Sequence, residues 1–339
     1  MAVYVPPANW ILVDGAVAID ATNGRLVSQS MALLDHLGAD ADLLILTHPH
    51  DDHAVGFWHL VSRYPHAAIG IAELDLPPVD RLSGGPEIDP ASDDNEAITQ
   101  PVAQALTEIK AALREAPKRR WQIRRSDIRQ VGDATVRVLH PTDAAINWAH
   151  REHARQRRQS PETPEYRLPR PWANKISAAC IVEWVTPHGE ARLLLGADVT
   201  KQDWRAMSVV FPHLGKHHVL KFPHHGSIGA CHNSFGHGTR ERTWVVTPYT
   251  PSRLPRSDQR GGLEWMRARV DSIYVTAGAP SPSTTQTRLR GFQVQEDAAP
   301  AATDEPSPHQ RNWIAASISL SGAVEIQLGT GAYHVVQPA

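Results

Sequence analysis

Over the first 75 residues the succession of apolar and polar positions predicts strand, turn, strand, helix, strand, loop, helix, strand. The run NWILVDGAVAID has a mostly extended apolar spacing, ATNGRL carries turn residues, and SMALLDHLG has helical periodicity closed by Gly38. The short run ADLLILT is apolar throughout and bounded by polar residues, the pattern of a strand buried on both faces. It ends at Thr47, where the composition changes abruptly.

From Ala72 to Gly132 the chain turns polar, with Pro and Gly in LPPVDRLSGGPEIDPASDDNE and then a helix predicted near Ala97 to Glu115. This stretch, about 73–131, reads as an insertion. The strand-like ATVRVL follows, then an Arg-rich helical segment to about Arg158 and a Pro-rich loop through Trp172. SAACIVEWV and ARLLLGAD flank the turn TPHGE and predict a hairpin. HVLKF, TWVVT and SIYVT predict three short strands, and IAASISLSGAVEIQLGTGAYHVV two or three more. Between them, about 278–312, Pro, Ala, Ser and Thr dominate and predict a flexible loop. No fixed-period repeat occurs, which argues against a solenoid or propeller.

Composition narrows the classes. A chain of 339 residues, 41% hydrophobic and 21% charged, buries a real core and is not disordered as a whole. Its formal net charge of -2 gives no overall attraction to phosphate, so any such affinity must be local. Two cysteines, Cys180 and Cys231, leave neither a disulfide framework nor a cysteine zinc site, though one bridge between them stays open. The N-terminal apolar run lacks a basic start and is broken by Pro6, Pro7 and Asp14, and no stretch approaches the ~20 apolar residues of a membrane span. A cytoplasmic protein without membrane attachment is the expectation.

The chemistry concentrates in THPHDDHAVG, which sets His48, His50, Asp52 and His53 at the carboxyl end of the predicted buried strand. Residues two apart in an extended turn face one side, so His48 and His50 can serve one position while the adjacent Asp52 and His53 serve a neighbouring one. With 19 His in the chain, such a pattern is expected roughly 0.003 times by chance, so an incidental polar loop is a poor explanation. Imidazole nitrogen with carboxylate oxygen suits zinc best, with manganese or iron as alternatives.

These residues resemble the metallo-β-lactamase-fold hydrolases, and further elements follow in the same order. They are Asp14 in ILVDGA, His140 in VRVLHP, Asp198 in LLLGADVT, and His224 or His225 in LKFPHHGS. The resemblance implies an α/β fold, a four-layer αβ/βα sandwich, as a single domain over 1–339. It also implies two divalent metal ions, Zn2+ with Mn2+ as the alternative. His48, His50 and His140 would hold one ion, Asp52, His53 and His225 the other, with Asp198 bridging; His224 is the alternative to His225. The implied nucleophile is a hydroxide held by the metal pair and oriented by Asp52, with His224 donating a proton or holding substrate. Asp14 fits a supporting turn role equally well.

Within that family the chain is most similar to the hydrolase domain of the DNA-uptake protein ComEC and its stand-alone relatives, through THPHDDH, VRVLHP, NKIS, LLLGAD and VLKFPHHGS. This implies phosphodiester hydrolysis, a nuclease or phosphodiesterase acting on nucleic acid. TPYTPSRLP departs from the His-bearing segment the family would carry after TWVVT.

Basic segments offer independent evidence. KRRWQIRR places Lys118, Arg119, Arg120, Arg124 and Arg125 around one Trp, and REHARQRRQSPETPEYRLPR extends over 151–170, diluted by Glu152, Glu162 and Glu165. Both can contact a phosphate backbone or form a solvated helix face. Lys175, Lys221 and Ser227 lie beside motifs and are candidate substrate contacts, whereas His59, His66, His217, His218, His232 and His237 read as surface or core histidines. Two alternatives remain: a hydrolase of a small ester, lactone or cyclic nucleotide, and a metal-containing subunit of a multiprotein defence or DNA-processing system, with a protein partner or a homo-oligomer.

Overall fold

The computed structural model describes residues 1–15, 17–19, 26–54, 56–72, 100–159, 174–187, 189–235, 242–248, 254–255, 262–276, 293–295, 314–318, 323–328 and 333–336. They form two compact units, Met1–Asp133 with Val138–Ala178, and Ala134–Arg137 with Ala179–Ala339.

The first unit opens with strands β1 (Ala2–Val5), β2 (Asn9–Val13), β3 (Val17–Ile19) and β4 (Leu26–Ser28), then helix α1 (Gln29–Leu37) and strand β5 (Leu43–Leu46). Helices α2 (Asp51–Ala54) and α3 (Phe57–Arg63), strand β6 (Ala68–Ala72) and helix α4 (Gln100–Glu115) follow. Strands β7 (Arg120–Ile123), β8 (Ile128–Val131) and β9 (Ala134–His140) and helix α5 (Asp143–Gln159) complete it, the first four residues of β9 counting with the second unit. A five-stranded sheet runs in the order β1-β2-β5-β6-β7, parallel from β2 to β7. All four residues of β5 are buried, as the unbroken apolar run requires of a central parallel strand. Leu34, Phe57, Leu60, Leu106 and Ile109 bring α1, α3 and α4 onto Leu12, Leu44 and Ile69. Each such side chain contributes about 1.5–3 kcal/mol on burial.

The second unit holds β10 (Ala179–Thr186), β11 (Gly189–Leu195), helix α6 (Lys201–Val210), β12 (Val219–Lys221), β13 (Thr243–Val246) and helix α7 (Leu263–Arg267). Strands β14 (Ser272–Val275), β15 (Gln293–Gln295), β16 (Ile314–Ile318), β17 (Val324–Leu328) and β18 (Tyr333–Val336) follow. Its strands are ordered β15-β18-β14-β13-β12-β11-β10, with β11 to β14 parallel, and β16 pairs separately with β17. The predicted hairpin is β10 and β11, antiparallel with Cys180 opposite Leu195. Trp204 and Phe235 pack edge to face at 4.3 Å, and buried Trp244 stacks on half-buried Trp265 at 6.0 Å.

The stretch expected as an insertion has a different composition in space. Residues 73–99 lie outside the described residues, the predicted helix is α4, and the basic segment KRRWQIRR supplies β7, which pairs with β6 as a strand of the sheet. The expected loop at about 278–312 lies outside the described residues apart from β15. Cys180 and Cys231 are free and buried, so the bridge left open by the sequence does not form. Among the described residues no helix is long and apolar enough to cross a membrane.

Candidate metal-binding residues

In the first unit the site grows from the carboxyl ends of two adjacent parallel strands. The register that pairs Val13 with Ile45 brings Asp14, just past β2, beside Thr47, just past β5. The Asp14 carboxylate accepts from the Thr47 amide at 2.9 Å and from its hydroxyl at 2.9 and 3.0 Å, and takes the Nδ1 proton of His53 at 2.7 Å. The Gly15 amide also donates to the His53 carbonyl at 2.7 Å. A Cβ on Gly15 would lie 2.1 Å from the Phe57 nitrogen, so only glycine allows this approach. Asp14 is thus a supporting group that orients His53.

The chain then turns through α2, where the His53 and Ala54 amides donate to the His50 carbonyl at 3.1 and 2.7 Å. The donors fall into two pairs. His48 Nε2 lies 3.0 Å from His50 Nδ1, and His53 Nε2 lies 3.4 Å from Asp52 Oδ2. A tetrahedral ion with ligands at ~2.0–2.1 Å separates its donors by about 3.3 Å, so both spacings suit a shared cation. His48, His53 and His140 are buried, and His50 and Asp52 are half-buried. His140, the last residue of β9, gives its Nδ1 proton to the Ser177 carbonyl at 2.8 Å.

In the second unit Asp198 follows β11 through Gly196 and Ala197 and is buried. Its Oδ2 lies 3.6 Å from His225 Nε2, while His225 Nδ1 donates to the Thr247 carbonyl at 3.1 Å. The His224 amide donates to the Ala197 carbonyl at 2.9 Å, which ties the HHG turn to the Asp198 loop. His225 is buried and His224 only half-buried.

The backbone is strained at these positions. Among the described residues, positive φ in residues other than glycine occurs at Asp14 (60°), Ser126 (73°), Ala197 (44°), His224 (48°) and His225 (52°). All except Ser126 are candidate site residues or adjoin one. Such conformations cost about 1–3 kcal/mol each and persist where function demands them.

Thr47 and Ser177 were not singled out by the sequence, yet both touch His48 Nδ1, at 3.1 and 3.2 Å. Thr47 precedes the first histidine of the motif and Ser177 closes NKIS, so a positional signal existed without a chemical one.

The expected substrate contacts divide. Arg119 donates to the carbonyls of Ala67 at 2.8 Å, Tyr64 at 2.9 Å and Val61 at 3.3 Å, and its burial lowers its pKa. It braces the chain beyond the end of α3, a role the sequence reading of Arg119 as a substrate contact did not include. Arg125 lies 3.9 Å from Asp143, and Arg120 and Arg124 are exposed. Lys175 and Lys221 are half-buried, and the Ser227 hydroxyl accepts from the Gly229 amide at 3.2 Å. Of the second basic segment, 160–170 lie outside the described residues. The second unit holds His217 and His218 as expected: buried His217 gives Nδ1–H to Leu214 at 2.9 Å and accepts from Trp244 at 3.1 Å, and His218 accepts from the Arg192 amide. His237 lies outside the described residues.

Residues 2–149 match the family model described as the metallo-beta-lactamase superfamily. The architecture is mixed α/β with several sheets, and the matched residues run from β1 into α5. The chain is similar to the metallo-beta-lactamase SMB-1 in complex with mercaptoacetic acid, at 14% identity over 65% of this chain and 70% of that one, with a TM-score of 0.32. It is also similar to MEM-A1, a subclass B3 enzyme from a soil metagenome library, at 13% identity over 65% and 70% of the two chains, TM-score 0.32. GOB-18 from Elizabethkingia meningoseptica matches at 14% identity over 62% and 65%, TM-score 0.30. No curated protein matches the sequence.

Proposed function

We propose that the chain is a metal-dependent hydrolase that uses two divalent ions, zinc in the first instance, to cleave phosphodiester bonds of nucleic acid. One observation carries the metal reading: His53, His140 and His225 each give their Nδ1 proton to an oxygen that can only accept, which directs every Nε2 lone pair toward a ligand role. His48, His50 and His140 are proposed for one ion, Asp52, His53 and His225 for the other, and Asp198 as the carboxylate they share.

When bound, such a pair of ions activates water near neutral pH and stabilises charge on the reacting phosphoryl oxygen. The chain's own residues do the rest. Asp52 orients the attacking water, and His224, half-buried and next to the proposed ligand His225, supplies a proton to the leaving oxygen. Lys175 and Lys221 attract the phosphate oxygens, and the Ser227 hydroxyl, while accepting from Gly229, keeps its own proton for substrate. The reading of a phosphodiester substrate is supported by the resemblance of the sequence motifs to ComEC-type domains and by the exposure of Arg120 and Arg124.

A second reading, hydrolysis of a small ester, lactone or cyclic nucleotide, is favoured by the brace role of Arg119 and by Asp143 beside Arg125, which reduce the charge offered to a polyanion. Metal analysis of purified protein, followed by incubation with labelled single- and double-stranded DNA and RNA with and without chelator, separates the two. Two ions per chain and chelator-sensitive cleavage are expected. No stoichiometric metal overturns the metal reading, and metal with turnover of small esters but no nucleic-acid cleavage moves the function to the second.

A further inference from the structure

Ser177 is fully buried in a short turn whose ends are fixed by backbone bonds: its own amide donates to the Asn174 carbonyl at 3.2 Å, and the Ala178 amide donates to the Thr47 carbonyl at 2.9 Å. The second bond ties the turn to the residue preceding His48. From there Ser177 reaches two histidines with two different oxygens. Its carbonyl takes the Nδ1 proton of His140 at 2.8 Å, and its hydroxyl oxygen lies 3.2 Å from Nδ1 of His48, 129 residues away in sequence.

The protons can be assigned. A carbonyl has none to give, so His140 carries its proton on Nδ1. His48 Nδ1 faces two hydroxyls, Thr47 at 3.1 Å and Ser177 at 3.2 Å. Thr47 has a single hydroxyl proton, and the Asp14 carboxylate, 2.9 and 3.0 Å away, is an acceptor that claims it. Toward His48 the Thr47 oxygen can therefore only accept, so the arrangement that pairs His48 Nδ1 with both hydroxyls has the imidazole proton on Nδ1, shared between the Thr47 and Ser177 oxygens. Both imidazoles then present Nε2 as a lone-pair donor.

We infer that Ser177 is a positioning residue that locks His48 and His140 together in the tautomer and orientation that bind one metal ion. The inference rests on the metal-centre reading above and deepens it, since it assigns the link between the THPHDDH motif and the strand-end His140 to a serine 37 residues further on. Replacing Ser177 by Ala removes the arm on His48 and leaves the carbonyl arm on His140, so the hydroxyl can be tested alone.

The experiment is competition for Zn2+ between a chromogenic chelator and the full-length chain, with folding checked by circular dichroism. In Ser177→Ala one of two ions is expected to bind about 10–100-fold more weakly, as for loss of other groups that orient ligands, with the second ion unchanged. Ser177→Thr, which keeps the hydroxyl, should recover most of the affinity; a merely structural serine would not distinguish the two substitutions. Wild-type affinity for both ions in Ser177→Ala, or equal losses in the Ala and Thr variants, overturns the inference while leaving the metal centre intact. A wild type that takes up no metal instead overturns the metal-centre reading itself. Should Ser177→Ala fail to fold, long-range proton–nitrogen correlation of the histidine rings in the metal-free wild type decides: a His48 protonated on Nδ1 supports the inference, and one protonated on Nε2 overturns it.

Discussion

Asp14 and His53 stand 39 residues apart in sequence and 2.7 Å apart in space, carboxylate oxygen to Nδ1. The same carboxylate holds the Thr47 amide and hydroxyl, so one side chain joins the end of β2 to the end of β5 and fixes the imidazole between them. Asp14→Ala removes the acceptor for all three. Affinity for the ion proposed at His53 should fall about 10–100-fold, and the buried Thr47 amide left without its acceptor should cost about 1–3 kcal/mol of stability. Asp14→Asn, which keeps one acceptor oxygen, should lose less of both. Chelator competition and urea unfolding read the two effects separately; unchanged metal affinity in Asp14→Ala would show that the carboxylate serves the turn alone.

The candidate ligands were legible because His and Asp carry their chemistry in their identity and THPHDDH compresses four of them into six positions. Thr47 and Ser177 were not, because a hydroxyl residue has no local signature and the Ser177 contact with His48 spans 129 residues. The hairpin of β10 and β11 was readable from the two apolar runs that flank TPHGE. Strand β7 was hidden by Arg120 and the arginines that flank it. An edge strand is protected by charge, and the same residues that protect it look like a solvated basic face.

The adjacent histidines of the HHG turn should separate by role. His225 is buried, with Nδ1 donating to the Thr247 carbonyl and Nε2 3.6 Å from Asp198, whereas His224 is half-buried. His225→Ala should lose about one ion per chain. His224→Ala should keep both and turn over more slowly, by about 100-fold if it acts as the general acid. Metal content of the two purified variants is the deciding measurement, and the reverse pattern would exchange their assignments.

His217 predicts how stability depends on pH. Burial pushes its pKa down to about 3, and both ring nitrogens are engaged in the neutral form, one by Leu214 and the other by Trp244. In the unfolded chain the same side chain protonates near 6.5. Between these values the unfolded state binds the extra proton and the folded state does not, so stability is retained above about 6.5 and falls as pH drops toward 3. The full shift corresponds to about 5 kcal/mol at most. His217→Gln should be less stable at neutral pH but lose less on acidification. Urea midpoints of both proteins between neutral pH and about pH 4 test this, and parallel curves would assign the acid sensitivity to other groups.

The arginines around Trp121 should divide into a brace and a binding surface. Arg119 lies against the end of α3, where backbone carbonyls have no helical partners, and its guanidinium donates to Tyr64, Val61 and Ala67. Charged hydrogen bonds of this kind are worth about 1.5–3 kcal/mol, so Arg119→Ala should lower stability by an amount of that order without altering nucleic-acid affinity in protein that remains folded. Arg120 and Arg124 are exposed. If they meet phosphates, binding releases counterions. The double substitution Arg120→Ala with Arg124→Ala should then flatten the dependence of log affinity on log salt by about 0.9 for each duplex phosphate no longer neutralised, or about 0.7 on single strands. Metal content should be unaffected, since neither residue belongs to the proposed ligand set. Fluorescence anisotropy with labelled DNA across a salt series measures the slope directly. A wild-type slope in the double variant would make this edge of the sheet a solubilising face, and a slope altered by Arg119→Ala alone would mean that the brace also reaches substrate.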